Sequence, residues 1–110
     1  MVESEQRRRT RRKRVLYPGV IVYGGGSFTC DCTIRDLTTT GARVSVPKGL
    51  SFPERFYVLN VRHGLVYDAQ TMWTKDRDIG IKFQSVVVLS TNNDVAMARI
   101  KKLWLAKAPR

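Results

Sequence analysis

The chain has 110 residues, with 20 Lys and Arg against 9 Asp and Glu, 43% apolar residues, two Cys, one His and a formal charge of +11. That length excludes a second domain but suffices to bury roughly two thirds of the unfolded surface, so one modest core forms without metal or disulfide staples. Seven of the basic residues, Arg7, Arg8, Arg9, Arg11, Arg12, Lys13 and Arg14, fall within one eight-residue window and leave the rest of the chain at only +4.

In chain order, that basic run comes first. It repels itself and has no apolar residue to bury, so residues 1–14 read as a flexible, disordered arm that waits for an anionic partner: nucleic acid, a nucleotide, an anionic membrane surface or an acidic protein. Residues 15–110 read as one domain of short strands, with turn signals at the spacing of a small sandwich or barrel. Val15 to Tyr23 is rich in β-formers, and Gly24-Gly25-Gly26 is a flexible hairpin turn. Phe28, Cys30, Cys32 and Ile34 then alternate with Thr29, Asp31, Thr33 and Arg35, which predicts a strand with the first set on its buried face.

Asp36-Leu37-Thr38-Thr39-Thr40-Gly41 breaks this period as a polar turn, and Ala42, Val44 and Val46 resume it with Arg43 and Ser45 pointing the other way. Pro47 to Pro53 is a loop. Phe56 to Val61 and Leu65 to Trp73 read as two more strands joined near Arg62-His63-Gly64, with Trp73 in the core and His63 exposed in the turn. After a turn at Asp76 to Asp78, Ile79-Gly80-Ile81-Lys82-Phe83 is the sixth strand. From Asp94 the period becomes helical, with Met97, Ile100 and Trp104 on one stripe and capping residues in Ser90 to Asp94. A helix over 94–107 is predicted to cover an open end of the β-structure; a membrane-surface or partner-binding helix is the alternative.

Cys30 and Cys32, in Cys-Asp-Cys, are too close for an unstrained disulfide on a strand and read as reduced cytosolic thiols. A zinc site needs about four ligands, and the sole histidine, His63, belongs to a different predicted hairpin, so no metal or cofactor is expected. Val15 to Val22 after the basic run imitates a secretory signal, but Pro18-Gly19 interrupts it and cleavage would remove the first strand. No segment approaches the roughly 20 apolar residues of a membrane span, so a cytoplasmic protein without stable membrane insertion is expected.

An enzyme is not expected. A hydrolytic triad would need a nucleophile, a base and an orienter, and the only histidine sits in a turn. Gly24-Gly25-Gly26 has neither the spacing nor the following helix of a Walker-type phosphate cradle. Two elements remain: Arg8-x-x-x-Arg12 in the arm and Asp36-x-Thr38-x-x-Gly41 between two strands, about 24 residues apart. In order and separation they resemble the two-part signature of the PilZ family, Arg-x-x-x-Arg followed by Asp/Asn-x-Ser-x-x-Gly. The segments Asp36 to Val44 and Ala69 through Trp73 to Phe83 are similar to further parts of that family.

The resemblance implies a mainly β fold, a small six-stranded antiparallel β-barrel with a C-terminal α-helix, that binds the bacterial second messenger cyclic di-GMP. It implies ligand contacts by Arg8, Arg12, Asp36, Thr38 and Gly41. Arg7-x-x-x-Arg11 also fits the first motif, while Arg8 and Arg12 place Val15 where the family's barrel strand begins. Arg7 then precedes the motif, where an arginine in similar proteins accompanies an intercalated dimer of the nucleotide. Thr38 departs from the family's Ser but keeps the hydroxyl.

These residues suit such a ligand. A guanidinium clamps phosphate oxygens or the O6/N7 edge of guanine and stacks on the base. Asp36 can accept from guanine N1–H and N2–H, Thr38 can bond base or phosphate, and Gly41 permits close backbone approach. Arg43 and Arg35 are candidate further phosphate contacts. The expected function is a receptor that orders its arm on the nucleotide and regulates an effector protein in trans, in motility, attachment or exopolysaccharide production. The alternative is a basic-arm module on a small β-barrel that binds nucleic acid such as RNA.

Overall fold

The computed structural model describes residues 13–108; Arg7, Arg8 and Arg12, with the rest of the N-terminal arm to residue 12, lie outside the described residues. Six antiparallel strands form: β1 (Lys13–Tyr23), β2 (Phe28–Leu37), β3 (Gly41–Ser45), β4 (Arg55–Asn60), β5 (Leu65–Lys75) and β6 (Asp78–Val88). β1 starts two residues before the predicted boundary, because Lys13 and Arg14 pair with Leu37 and Asp36 of β2. The neighbour order is β1-β2-β3-β6-β5-β4, and β1 also pairs with β4, so the sheet closes into a barrel.

The alternation seen in the sequence fills the interior. Ile21, Ile34, Val44, Val58 and Tyr67 are buried there, with Cys32, Phe56 and Ala69. Phe28 departs from the expected buried set: at 57% exposed it lies past the end of the packed region and stacks on Tyr23, with ring centroids 5.2 Å apart. β6 runs on beyond Phe83 to Val88 because its second half pairs with Leu65 to Asp68. The unbroken Val86-Val87-Val88 run concealed that strand from a search for alternation.

The helix takes a different place from the predicted one. Asp94 accepts a hydrogen bond from the Ala96 amide at 3.0 Å, a 3-10 turn covers Val95–Met97, and the regular helix α1 runs Ala98–Lys107. Its buried residue Ile100, with Met97 before it, packs against Val20, Val22, Leu59, Val61, Val66 and Leu89. In the strand register Val20 faces Leu59, and Leu59 faces Val66, while their neighbours Ile21, Val58 and Tyr67 form the opposite, interior face. The helix therefore covers the outside of β1, β4 and β5 rather than an open end. Interior space is already filled, whereas these strands carry apolar residues on both faces and need a second cover. Trp104 completes it by donating its indole N–H to the Val61 carbonyl at 3.0 Å.

Asn60, fully buried between the two cores, donates to the Tyr67 hydroxyl at 3.1 Å and accepts from the His63 amide at 3.2 Å. A buried amide satisfied in this way pins the β4–β5 turn instead of destabilising it. His63 itself is exposed and packs edge-on against Tyr17, with ring centroids 4.9 Å apart. Among the described residues no helix is long and apolar enough to cross a membrane.

Candidate functional site

The site is a row of residues crossing five strands. Arg14 of β1 pairs with Asp36 of β2, Asp36 with Arg43 of β3, Arg43 with Gly80 of β6, and Gly80 with Trp73 of β5. Register irregularities shape it, one of them in β1 between Arg14 and Tyr17. Ile34 pairs with Val44 inside the barrel, and the next pair is Asp36 with Arg43, so Arg35 is the extra residue of a bulge. Simple alternation would send Asp36 inward after Ile34. The bulge turns it out to meet Arg43.

The same device acts on β5. Thr71 pairs with the core residue Ile81, and the next pair is Trp73 with Gly80, with Met72 as the extra residue. Continued alternation from Ala69 and Thr71 would have buried Trp73. Instead it is 47% exposed and lies across Gly80, where an added Cβ would collide with the indole. This corrects the placement of Trp73 in the core. The sequence did carry one signal for it, a glycine between two isoleucines in a strand, which marks close approach of another group.

Asp36 is buried, only 4% exposed, and accepts from Arg43 Nε at 2.6 Å. Arg43 Nη1 also donates to Asp78 at 3.1 Å, and Asp78 accepts from Ser45 Oγ at 2.7 Å. Asp36 and Asp78 thus hold the guanidinium from two sides, and Arg43 in turn fixes the carboxylate of Asp36. Arg35, the other arginine considered from the sequence, points elsewhere: it lines a separate concavity with Arg77 and Thr33.

The turn after β2 is organised by Thr38. Its hydroxyl accepts from the amides of Gly41 at 3.0 Å and Thr40 at 3.2 Å, and its own amide donates to the Gly41 carbonyl at 2.9 Å. A threonine hydroxyl that accepts two backbone amides makes a closed polar turn and sets where Asp36 and Gly41 stand. At Gly41 an added Cβ would collide with the Ile81 carbonyl oxygen of β6, so the β3–β6 pairing requires glycine there.

Asp36, Thr38, Gly41, Arg43, Met72 and Trp73 are brought together around one concavity of about 230 Å³. It combines a buried carboxylate, a guanidinium and an exposed indole face, groups suited to a planar, hydrogen-bonding, anionic ligand. Among the described residues no three His, Cys, Asp or Glu side chains gather as a metal site would require. Arg14, Met72, Trp73, Gly80 and Asp78 are the members of the site that sequence reasoning did not assign. No curated protein matches the chain. The PilZ domain family model matches residues 6–95, a span that contains both the arginine motif and the Asp36 to Gly41 turn, and the chain belongs to the PilZ domain family.

Proposed function

We propose that the chain is a non-enzymatic receptor for cyclic di-GMP. The family is one of cyclic di-GMP-binding receptors, and the observation that carries the reading here is the Asp36–Arg43 pair facing the exposed Trp73 indole across one concavity. Asp36, held by Arg43, accepts from the guanine N1–H and N2–H; a carboxylate takes several donors at once and keeps its charge while doing so. The Trp73 indole offers a guanine its π-face. Thr38 keeps the turn closed, and Gly41 lets the strands approach.

Arg8 and Arg12 supply the phosphate and base contacts, with Arg7 adding to them when two intercalated nucleotides bind; Arg7 and Arg11 are the alternative register. The described chain enters the fold at Lys13 and Arg14, directly opposite Leu37 and Asp36, which supports a reading in which the preceding arginine motif acts at this site. Ligand then neutralises the arm and orders it on the barrel surface, which changes the face shown to an effector protein in trans. Motility, attachment and exopolysaccharide production are the processes that such a receptor would regulate.

Isothermal titration of cyclic di-GMP tests this, with GTP and single-stranded RNA as controls. Saturable binding near about 1 μM, roughly −8 kcal/mol, is expected, weakened at least about tenfold by Arg8→Ala/Arg12→Ala and by Asp36→Ala. Absence of heat with cyclic di-GMP, together with RNA binding that falls with a log–log salt slope of about −4 to −5, would assign the arm to nucleic acid instead.

A further inference from the structure

A second concavity lies at the other end of the β1–β2 hairpin. The first site sits at the Arg14–Asp36 pair and the second at Tyr23, nine residues further along β1, or about 30 Å of strand. It measures about 770 Å³, within the range of small-molecule sites, and opens between the β1–β2 turn, β4 and the segment that leads into α1. Val22, Phe56 and Ile100, all buried, contribute its apolar wall, while Tyr23, Tyr57 and Arg99 supply its polar groups.

The charges do not balance. Arg55, on the β4 side, is engaged by Asp68 through Nη2 at 2.8 Å. Arg99 has no hydrogen-bond or ion-pair partner among the described residues, and neither hydroxyl of Tyr23 and Tyr57 has one. Of the helix-side residues that line the cavity, Val95, Ala96, Arg99 and Ile100, only Arg99 is charged, so that side is positive. The sequence also keeps the turn clear. Gly24, Gly25 and Gly26 have φ of +62°, +66° and +93°, a left-handed path that side-chain-bearing residues rarely follow. A Cβ at Gly26 would press on Arg99 Cδ at 3.2 Å, so the missing side chain is what lets the arginine lie along the turn.

An apolar wall with two phenol hydroxyls and one guanidinium that have no partner among the described residues defines the complement of a particular ligand class. We propose that this cavity is a second ligand site, for a small organic anion that carries its charge on an apolar body of aromatic size. None of its residues belongs to the Asp36 row, so the proposal stands apart from the nucleotide reading.

The probe is 1-anilinonaphthalene-8-sulfonate, an aromatic body with one sulfonate, titrated into the full chain by fluorescence, with neutral N-phenyl-1-naphthylamine as its uncharged analogue. Saturable binding of one sulfonate dye per chain is expected, at least about tenfold tighter than the neutral dye. Arg99→Gln should reduce the sulfonate dye to the affinity of the neutral one while leaving the melting temperature and cyclic di-GMP affinity unchanged. Ala96→Trp, which fills the cavity, should abolish binding of both. Should that variant not fold, NMR shifts in the wild type decide: dye-induced movement of the Gly24 to Gly26 amides supports the site, and movement confined to other residues overturns it. A signal that does not saturate, or equal affinity in Arg99→Gln, overturns it as well.

Discussion

Two glycines of the site separate packing from ligand binding. At Gly41 an added Cβ meets a backbone carbonyl, that of Ile81, which cannot move without disturbing the β3–β6 ladder. Gly41→Ala is therefore expected to cost about 2–3 kcal/mol of stability and to lower the melting temperature. At Gly80 the three atoms nearest an added Cβ all belong to the Trp73 indole, which is half exposed and can swing away. Gly80→Ala should cost less than about 1 kcal/mol by urea unfolding, yet weaken cyclic di-GMP binding, because the displaced indole no longer lies over the row. Equal destabilisation by the two substitutions would contradict this account. Asp36, Thr38, Gly41 and Arg43 were legible as candidates because their motif is local, a turn between two strands. Trp73 was not, because one extra residue, Met72, reverses the face of everything after it, and the glycine at position 80 signals a close approach without saying which residue makes it.

At the scale of elements, α1 was legible as a helix from the stripe of Met97, Ile100 and Trp104, and Asp94, which caps the 3-10 turn leading into it, was among the expected capping residues. Its docking face was not. The stripe says that one side of the helix must be buried, and the run Val20-Ile21-Val22 says that β1 has two apolar faces, but neither says that the two belong together. The helix is a structural cover by this geometry, so removing its anchor should act on stability. Ile100→Ala is expected to cost about 2–4 kcal/mol in urea unfolding, and Asp94→Ala about 1 kcal/mol through loss of the cap. A helix lying free for a partner would show almost no change in either variant.

For the molecule as a whole, the closed interior also determines how stability responds to alkali. Burial, with Cys30 and Asp31 behind it, pushes the Cys32 thiol up to about 12 from 9.0. Below pH 9 the thiol is protonated in both folded and unfolded chains and contributes no pH dependence. Above it the unfolded chain loses the proton while the folded chain keeps it, so unfolding is favoured by about 1 kcal/mol per pH unit up to about pH 12. Tyr67, also raised by burial, adds a loss of the same sign above pH 10. Urea midpoints measured from about pH 8 to about pH 10 should decline beyond pH 9 in the wild type, and Cys32→Ala should remove most of that decline. The sequence by itself determined the class of the protein: six short strands and a helix follow from periodicity, and the two motifs follow from spacing, because both are properties of neighbours along the chain. Only the tertiary structure decided which faces meet. Closure brings β1 beside β4 and β3 beside β6, strands far apart in sequence, and it is that pairing which lines up Arg14, Asp36, Arg43, Gly80 and Trp73 and leaves the outer wall of β1, β4 and β5 for the helix. Strand register and bulges are chosen by the packing of the whole barrel, so no window of sequence short enough to read as a motif contains them.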